Sequence, residues 1–139
     1  MDLFFVSGLL GWVASTLLGI ESLLPYLLRR TKFSEWLGTS DPTKPYLQRM
    51  RIHFWLGYAL LPLALLHAWL PMAAGRARGA NMLGLWLATA ALVLLFVQLG
   101  FGLSRRGANP AHRSAIRVTH FWTMTAIAAA AAVHIWLNG

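Results

Sequence analysis

Four long apolar runs, separated by short polar segments, dominate this sequence. They cover roughly residues 3–28, 52–74, 82–103 and 118–137. Each run is long enough to cross a membrane as a helix, since ~20 apolar residues span the hydrocarbon layer. The runs do not alternate polar and apolar residues, as the strands of a membrane barrel do. The sequence therefore predicts an all-α, integral-membrane, up-down four-helix bundle that forms a single transmembrane domain, residues 1–139.

The composition agrees with a membrane location. Charged residues make up 12% of the chain and apolar residues 58%, whereas about a quarter of a soluble domain is charged. The chain has no cysteine, which excludes disulfides, iron–sulfur clusters and covalently attached haem. The net charge is +8, but the basic residues lie between apolar runs. We therefore read them as topology signals and expect no nucleic-acid partner.

The basic residues are distributed unevenly between the two sides of the predicted bundle. Arg76 and Arg78 are the only ones between the second and third runs. Ten others flank the remaining two connections: Arg29, Arg30, Lys32, Lys44, Arg49, Arg51, Arg105, Arg106, Arg113 and Arg117. The positive-inside rule then predicts a multi-pass protein of the cell membrane, such as a bacterial inner membrane, with cytoplasmic basic loops and both termini outside.

Local signals add three expectations. The N-terminus lacks the basic region of a cleavable signal peptide, so we expect the first run to be retained as a span. Residues 33–37 are predicted to form a short turn at the membrane interface. Asn109-Pro110 is predicted to open the fourth helix, as an N-cap followed by proline in the first helical position.

The histidines form the pattern that carries most chemistry. His53 and His67 are fourteen residues apart, and so are His120 and His134. Fourteen residues fall about 40° short of four helical turns, so each pair shares one helix face. Both pairs are centred on their runs, and the second and fourth helices of an up-down bundle are diagonal neighbours. The spacing predicts that His53 faces His120 on the cytoplasmic side and His67 faces His134 on the outer side.

Paired imidazoles at one depth point to haem iron. No acidic residue lies between the histidines of either pair, whereas zinc takes about four ligands that often include Cys, Asp or Glu. Two axial imidazoles leave iron no open position, which favours electron transfer over oxygen activation. We therefore predict two non-covalent haems b stacked in the core, with these four histidines as the iron ligands. The alternative for any single histidine is a hydrogen bond between helices.

An internal repeat supports the pairing. Each of the four histidines is followed two positions later by tryptophan, and the second and fourth helices match at an offset of 67 residues. This indicates a duplicated helical hairpin. The alternative for the tryptophans is anchoring at the membrane interface.

Several more residues are candidates for the surroundings of a haem. Gly57 leaves room on a ligand helix, although small residues also serve ordinary membrane-helix packing. Arg49, Arg113 and Arg117 share the ligand face by helical spacing and are predicted propionate partners. Their alternative role is contact with lipid headgroups at the cytoplasmic surface.

The four-histidine pattern resembles the N-terminal four-helix haem domain of cytochrome b subunits. There, too, the second and fourth helices each supply two histidines with thirteen residues between them, and ferric reductase-like membrane domains use the same bis-histidine arrangement. The resemblance implies axial ligation of one haem by His53 and His120 and of the other by His67 and His134. The sequence has no counterpart of the Pro-Glu-Trp-Tyr quinol loop or of a flavin and nicotinamide domain. We therefore expect separate redox partner proteins to donate and accept electrons.

The predicted function is transmembrane electron transfer through two haems in a lipid bilayer, as a subunit or partner of a larger redox system. Whether the chain is itself an enzyme stays open. A second hypothesis is a quinone reductase or quinol oxidase that uses Glu21 or His112 near the cytoplasmic haem, although Glu21 could equally pair with an arginine. A haem-free metal-ion transporter and a colourless membrane adaptor with structural histidines also fit the pattern. The regular spacing would suit a designed bundle as well as a natural one.

Overall fold

The computed structural model describes residues 2–28, 31–36, 43, 48, 50–75, 80–104 and 109–139. Over these residues the secondary structure is helical: α1 (Leu3–Leu27), α2 (Thr31–Trp36), α3 (Arg51–Ala73), α4 (Met82–Ser104) and α5 (Pro110–Asn138). Four of them, α1, α3, α4 and α5, are long and apolar enough to cross a membrane. This confirms the predicted all-α protein with four membrane-length helices.

The helix ends agree closely with the predictions. Asn109 caps α5 by accepting a hydrogen bond from the amide of Ala111 at 3.2 Å, and Pro110 occupies the first helical position, as predicted. The helix therefore begins well before the apolar run, because its first two turns are polar. The turn predicted over residues 33–37 is part of the short helix α2, and residue 37 lies outside the described residues.

The long helices pair as two antiparallel hairpins. Helix α1 packs along α3, and α4 packs along α5. Ser7, near the start of α1, contacts His67, near the end of α3. Asn81, just before α4, contacts Asn138 at the end of α5. The ring contacts described below join α3 to α5 in the same direction, so the four helices run alternately up and down.

A small hydrocarbon core fills the centre of the bundle. The buried residues that form it come from all four long helices: Ala14, Leu18, Leu60, Leu95 and Ile127. Leu60 lies midway between the two histidines of α3, and Ile127 lies midway between those of α5; each is only 3% exposed. The outward faces carry exposed aromatic side chains, including Trp12, Trp86 and the four tryptophans of the histidine repeat. Such faces suit a bundle that is surrounded by lipid.

Candidate functional site

The structure brings the four repeat histidines together in two pairs across the bundle. The ring centroids of His53 and His120 lie 6.2 Å apart, with an angle of 73° between the ring planes. The centroids of His67 and His134 also lie 6.2 Å apart, with an angle of 78°. The juxtaposition predicted from the spacing of fourteen residues and the diagonal helices is therefore present in the fold.

The ring of His67 is held by helix α1. Its Nδ1 lies 2.8 Å from the carbonyl oxygen of Ser7, and because a carbonyl oxygen only accepts, Nδ1 is the donor. The Ser7 hydroxyl donates to the carbonyl oxygen of His67 at 3.0 Å. A Cβ on Gly11 would lie 2.7 Å from Cε1 of His67, so only glycine leaves space for the ring. These contacts fix the tautomer and leave Nε2 with the lone pair.

The ring of His134 is held in the same way by helix α4. Its Nδ1 donates to the carbonyl oxygen of Gly84 at 2.9 Å. Gly84 is buried, and a Cβ there would collide with the side chains of Leu137 and Asn138. His134 therefore has the same tautomer as His67, with its lone pair on Nε2.

The other pair has a carboxyl group where the first has a carbonyl. Oε1 of Glu21 lies 3.6 Å from Nδ1 of His53, and the two side chains are only 12% and 15% exposed. A Cβ on Gly57 would lie 2.8 Å from the same carboxyl oxygen. The predicted role of Gly57, room on a ligand helix, thus has a specific form here, because its missing side chain makes space for Glu21.

A cavity of about 290 Å³ surrounds the His53–His120 pair. All four long helices contribute to its wall. The lining is mainly apolar, with these polar or charged side chains and glycines among it: Glu21, His53, Gly57, Tyr58, Gln98, Gly102, Arg113 and His120. The volume is close to the lower end of the range typical of small-molecule and cofactor pockets. Of the predicted site residues, Gly57 and Arg113 therefore lie beside the paired histidines.

The remaining predicted residues lie elsewhere. Arg117 is exposed on α5 and does not line this cavity; three residues before His120 it is turned about 60° from the ligand face, whereas seven residues place Arg113 almost directly below it. His112 is exposed near the start of α5. Arg49 lies outside the described residues, as do these other basic residues used for the topology: Arg29, Arg30, Lys44, Arg76, Arg78, Arg105 and Arg106.

The histidines do not form a site for a bare metal ion of the zinc type. Among the described residues, no group of three or more His, Cys, Asp or Glu side chains is placed to hold a metal ion. A structural zinc site needs about four protein ligands. The two pairs suit a metal ion that takes two ligands from the protein and the rest from another molecule.

The sequence patterns did not predict the two main-chain partners, Ser7 and Gly84. They are equivalent in an internal repeat: α1 and α4 match at an offset of 77 residues, which also relates Leu18 to Leu95 and Glu21 to Gln98. The offset of 67 residues between α3 and α5 likewise relates Leu60 to Ile127. A second alignment of the two hairpins, made separately for their first helices, is the signal that would have found these partners.

Comparisons with protein-family models, with curated proteins and with solved structures found no match to this chain.

Proposed function

We propose that this protein is a dihaem membrane cytochrome that transfers electrons between the two sides of a bilayer. One haem b would be held by His53 and His120, and the other by His67 and His134. The observation that carries the proposal is the geometry of the two ring pairs. Two imidazoles that bind one metal ion from opposite sides, at about 2.0–2.1 Å per nitrogen, have ring centroids about 6 Å apart. Both pairs are at 6.2 Å.

The hydrogen bonds of the rings support the same assignment. Metal-binding histidines usually donate their second ring N–H to a carbonyl or a carboxylate, which fixes the ring and raises its basicity. His67 and His134 donate to main-chain carbonyls, and His53 lies beside the Glu21 carboxyl group. A histidine that only linked two helices would not need a partner ring at this distance.

A porphyrin resolves the shortage of protein ligands. It supplies four in-plane nitrogens, so iron needs only two from the chain. The chain's own residues hold and orient the rings, exclude water with the Leu60–Ile127 core, and place Arg113 at the cavity as a cationic partner for a propionate. When bound, the haem supplies a one-electron carrier without an open coordination position.

Haem content tests the proposal. The full chain, purified in detergent from haem-replete cells, should contain two haems b per chain by the pyridine haemochrome assay. His53→Ala and His120→Ala should each remove the same haem, and His67→Ala and His134→Ala should each remove the other. His112→Ala is the matched control and should keep both.

Two results would overturn the proposal. A correctly inserted but colourless protein would show that the pairs do not bind haem, and binding of zinc or another ion alone would then favour the transporter. Loss of haem that groups by helix, with His53 and His67 equivalent, would contradict pairing across the bundle.

A further inference from the structure

Glu21 makes the two histidine pairs chemically different. Its carboxyl oxygen lies 3.6 Å from Nδ1 of His53, in a mostly buried setting. The corresponding nitrogens of His67 and His134 face neutral main-chain carbonyls at 2.8 and 2.9 Å. One pair therefore has an acidic side chain beside a ring nitrogen, and the other has only peptide groups.

The internal repeat shows that this difference is specific to one half of the chain. The residue equivalent to Glu21 in the second hairpin is Gln98, which has the same shape without the acidic group and lines the same cavity. Gly57 keeps the space that the Glu21 carboxyl group occupies. Two features of the first hairpin thus place one acidic group against one predicted iron ligand.

We propose that Glu21 is a positioning residue that lowers the reduction potential of the haem held by His53 and His120, relative to that of the haem held by His67 and His134. This inference rests on the proposed function. A carboxylate that accepts from the N–H of an iron-bound imidazole increases the ligand's basicity, and so stabilises ferric over ferrous iron. Burial strengthens the effect, because few water molecules screen the charge.

Arg113 is the opposing charge at the same cavity, since a cation stabilises ferrous iron. It is exposed on α5, so solvent and salt screen it more than they screen Glu21. Reduction of each haem consumes one electron, converts Fe³⁺ to Fe²⁺ and breaks no bond. The electron is therefore more stable at the His67–His134 end, and transfer is downhill from the Glu21 end to the other.

A redox titration of the full-length protein, followed by visible absorption, tests the inference. The two potentials are assigned with the single-histidine variants. Glu21→Gln should shift the ferric–ferrous equilibrium of the His53–His120 haem toward ferrous iron by about tenfold, which is 59 mV for a one-electron couple. The other potential should not move. Glu21→Asp should retain part of the effect, because it keeps a carboxyl group at this position.

Gln98→Glu provides a reciprocal test that does not require Glu21 to be removed. It adds a carboxyl group at the repeat-equivalent position, so it should lower the potential of the same haem. The result supports the inference if Glu21→Gln and Gln98→Glu move that potential in opposite directions.

The two proposals fail in distinguishable ways. Two bound haems whose potentials are unchanged in both variants would overturn the role of Glu21 and leave the electron-transfer function standing. A haem-free wild-type protein would overturn the function and the role of Glu21 with it. If Glu21→Gln loses haem, Gln98→Glu and Glu21→Asp decide the matter, and unchanged potentials in these variants overturn the inference.

Discussion

The imidazole planes of His67 and His134 cross at 78°, which is nearly perpendicular. The planes of His53 and His120 cross at 73°. Because an axial imidazole interacts with the iron d orbital perpendicular to its own plane, two crossed rings act on different orbitals. These orbitals then stay close in energy, and the ring orientation becomes visible in a spectrum of the ferric state.

The crossed rings predict a strongly anisotropic low-spin electron paramagnetic resonance signal from both ferric haems. Rings in parallel planes would separate the two orbitals and give a rhombic signal with three resolved components. Spectra of the wild type and of the His67→Ala variant check this, because the variant should keep only the signal of the His53–His120 haem. A rhombic signal from either haem would show that its rings are not crossed as described.

A methyl group on Gly11 should remove the outer haem. In Gly11→Ala the new Cβ would lie 2.7 Å from the His67 ring, and the ring cannot easily retreat because the Ser7 carbonyl holds its Nδ1. The haem content should fall from two per chain toward one, with a stability loss of about 1–3 kcal/mol, as for other overpacked positions.

Gly8→Ala is the matched control for that substitution. Gly8 lies one turn earlier on the same helix, and a Cβ there would meet nothing within 4 Å. This variant should keep both haems. Equal loss in the two variants would mean that α1 tolerates no added methyl group, rather than that Gly11 makes space for His67.

Gly57→Ala should reproduce part of the effect of removing the Glu21 carboxyl group. The added Cβ would lie 2.8 Å from Oε1 of Glu21, so the carboxyl group must move relative to His53. We expect the potential of the His53–His120 haem to rise in a redox titration. Gly19→Ala, where a Cβ meets nothing within 4 Å, should leave both potentials unchanged; a similar shift in both variants would contradict the role given to Gly57.

The start of α4 predicts a modest and separate stability effect. The side chain of Asn81 accepts from the amides of Leu83 and Gly84 at 3.0 and 3.3 Å. Asn81→Ala should lower the free energy of unfolding by about 1 kcal/mol, the usual contribution of a helix cap. Equilibrium unfolding in detergent measures it. Thr89→Ala, on the same helix, removes only an exposed bond to the Leu85 carbonyl and should cost less; equal losses would argue against the cap.

The sequence was sufficient for the helices and for the pairing of the histidines. Hydrocarbon length sets the helix bounds, and a spacing of fourteen residues places two side chains on one face whatever surrounds them. The opening of α5 at Asn109 was also predictable, because its cap depends on neighbouring residues alone.

The partners of the rings were less predictable. The carbonyls of Ser7 and Gly84 are main-chain groups, which every residue has, so only the rotation and height of α1 and α4 select them. The same applies to Glu21, whose charge was visible but whose contact with His53 depends on how α1 lies against α3. Arg113 and Arg117 illustrate the limit within a single helix, because both were assigned to one face and only Arg113 lines the cavity.

The hydrocarbon layer between the two histidine levels has a further consequence. Leu18, Leu60, Leu95 and Ile127 fill a section of the bundle whose two histidine levels are ~21 Å apart. An electron can tunnel through such a layer, but a proton cannot follow it, since hydrocarbon side chains offer no relay. In the proposed function the bundle conducts one charge and insulates against the other. Each full crossing would exchange about 2.3 kcal/mol per 100 mV with the voltage across the bilayer, so redox chemistry at one surface could charge the membrane like a capacitor.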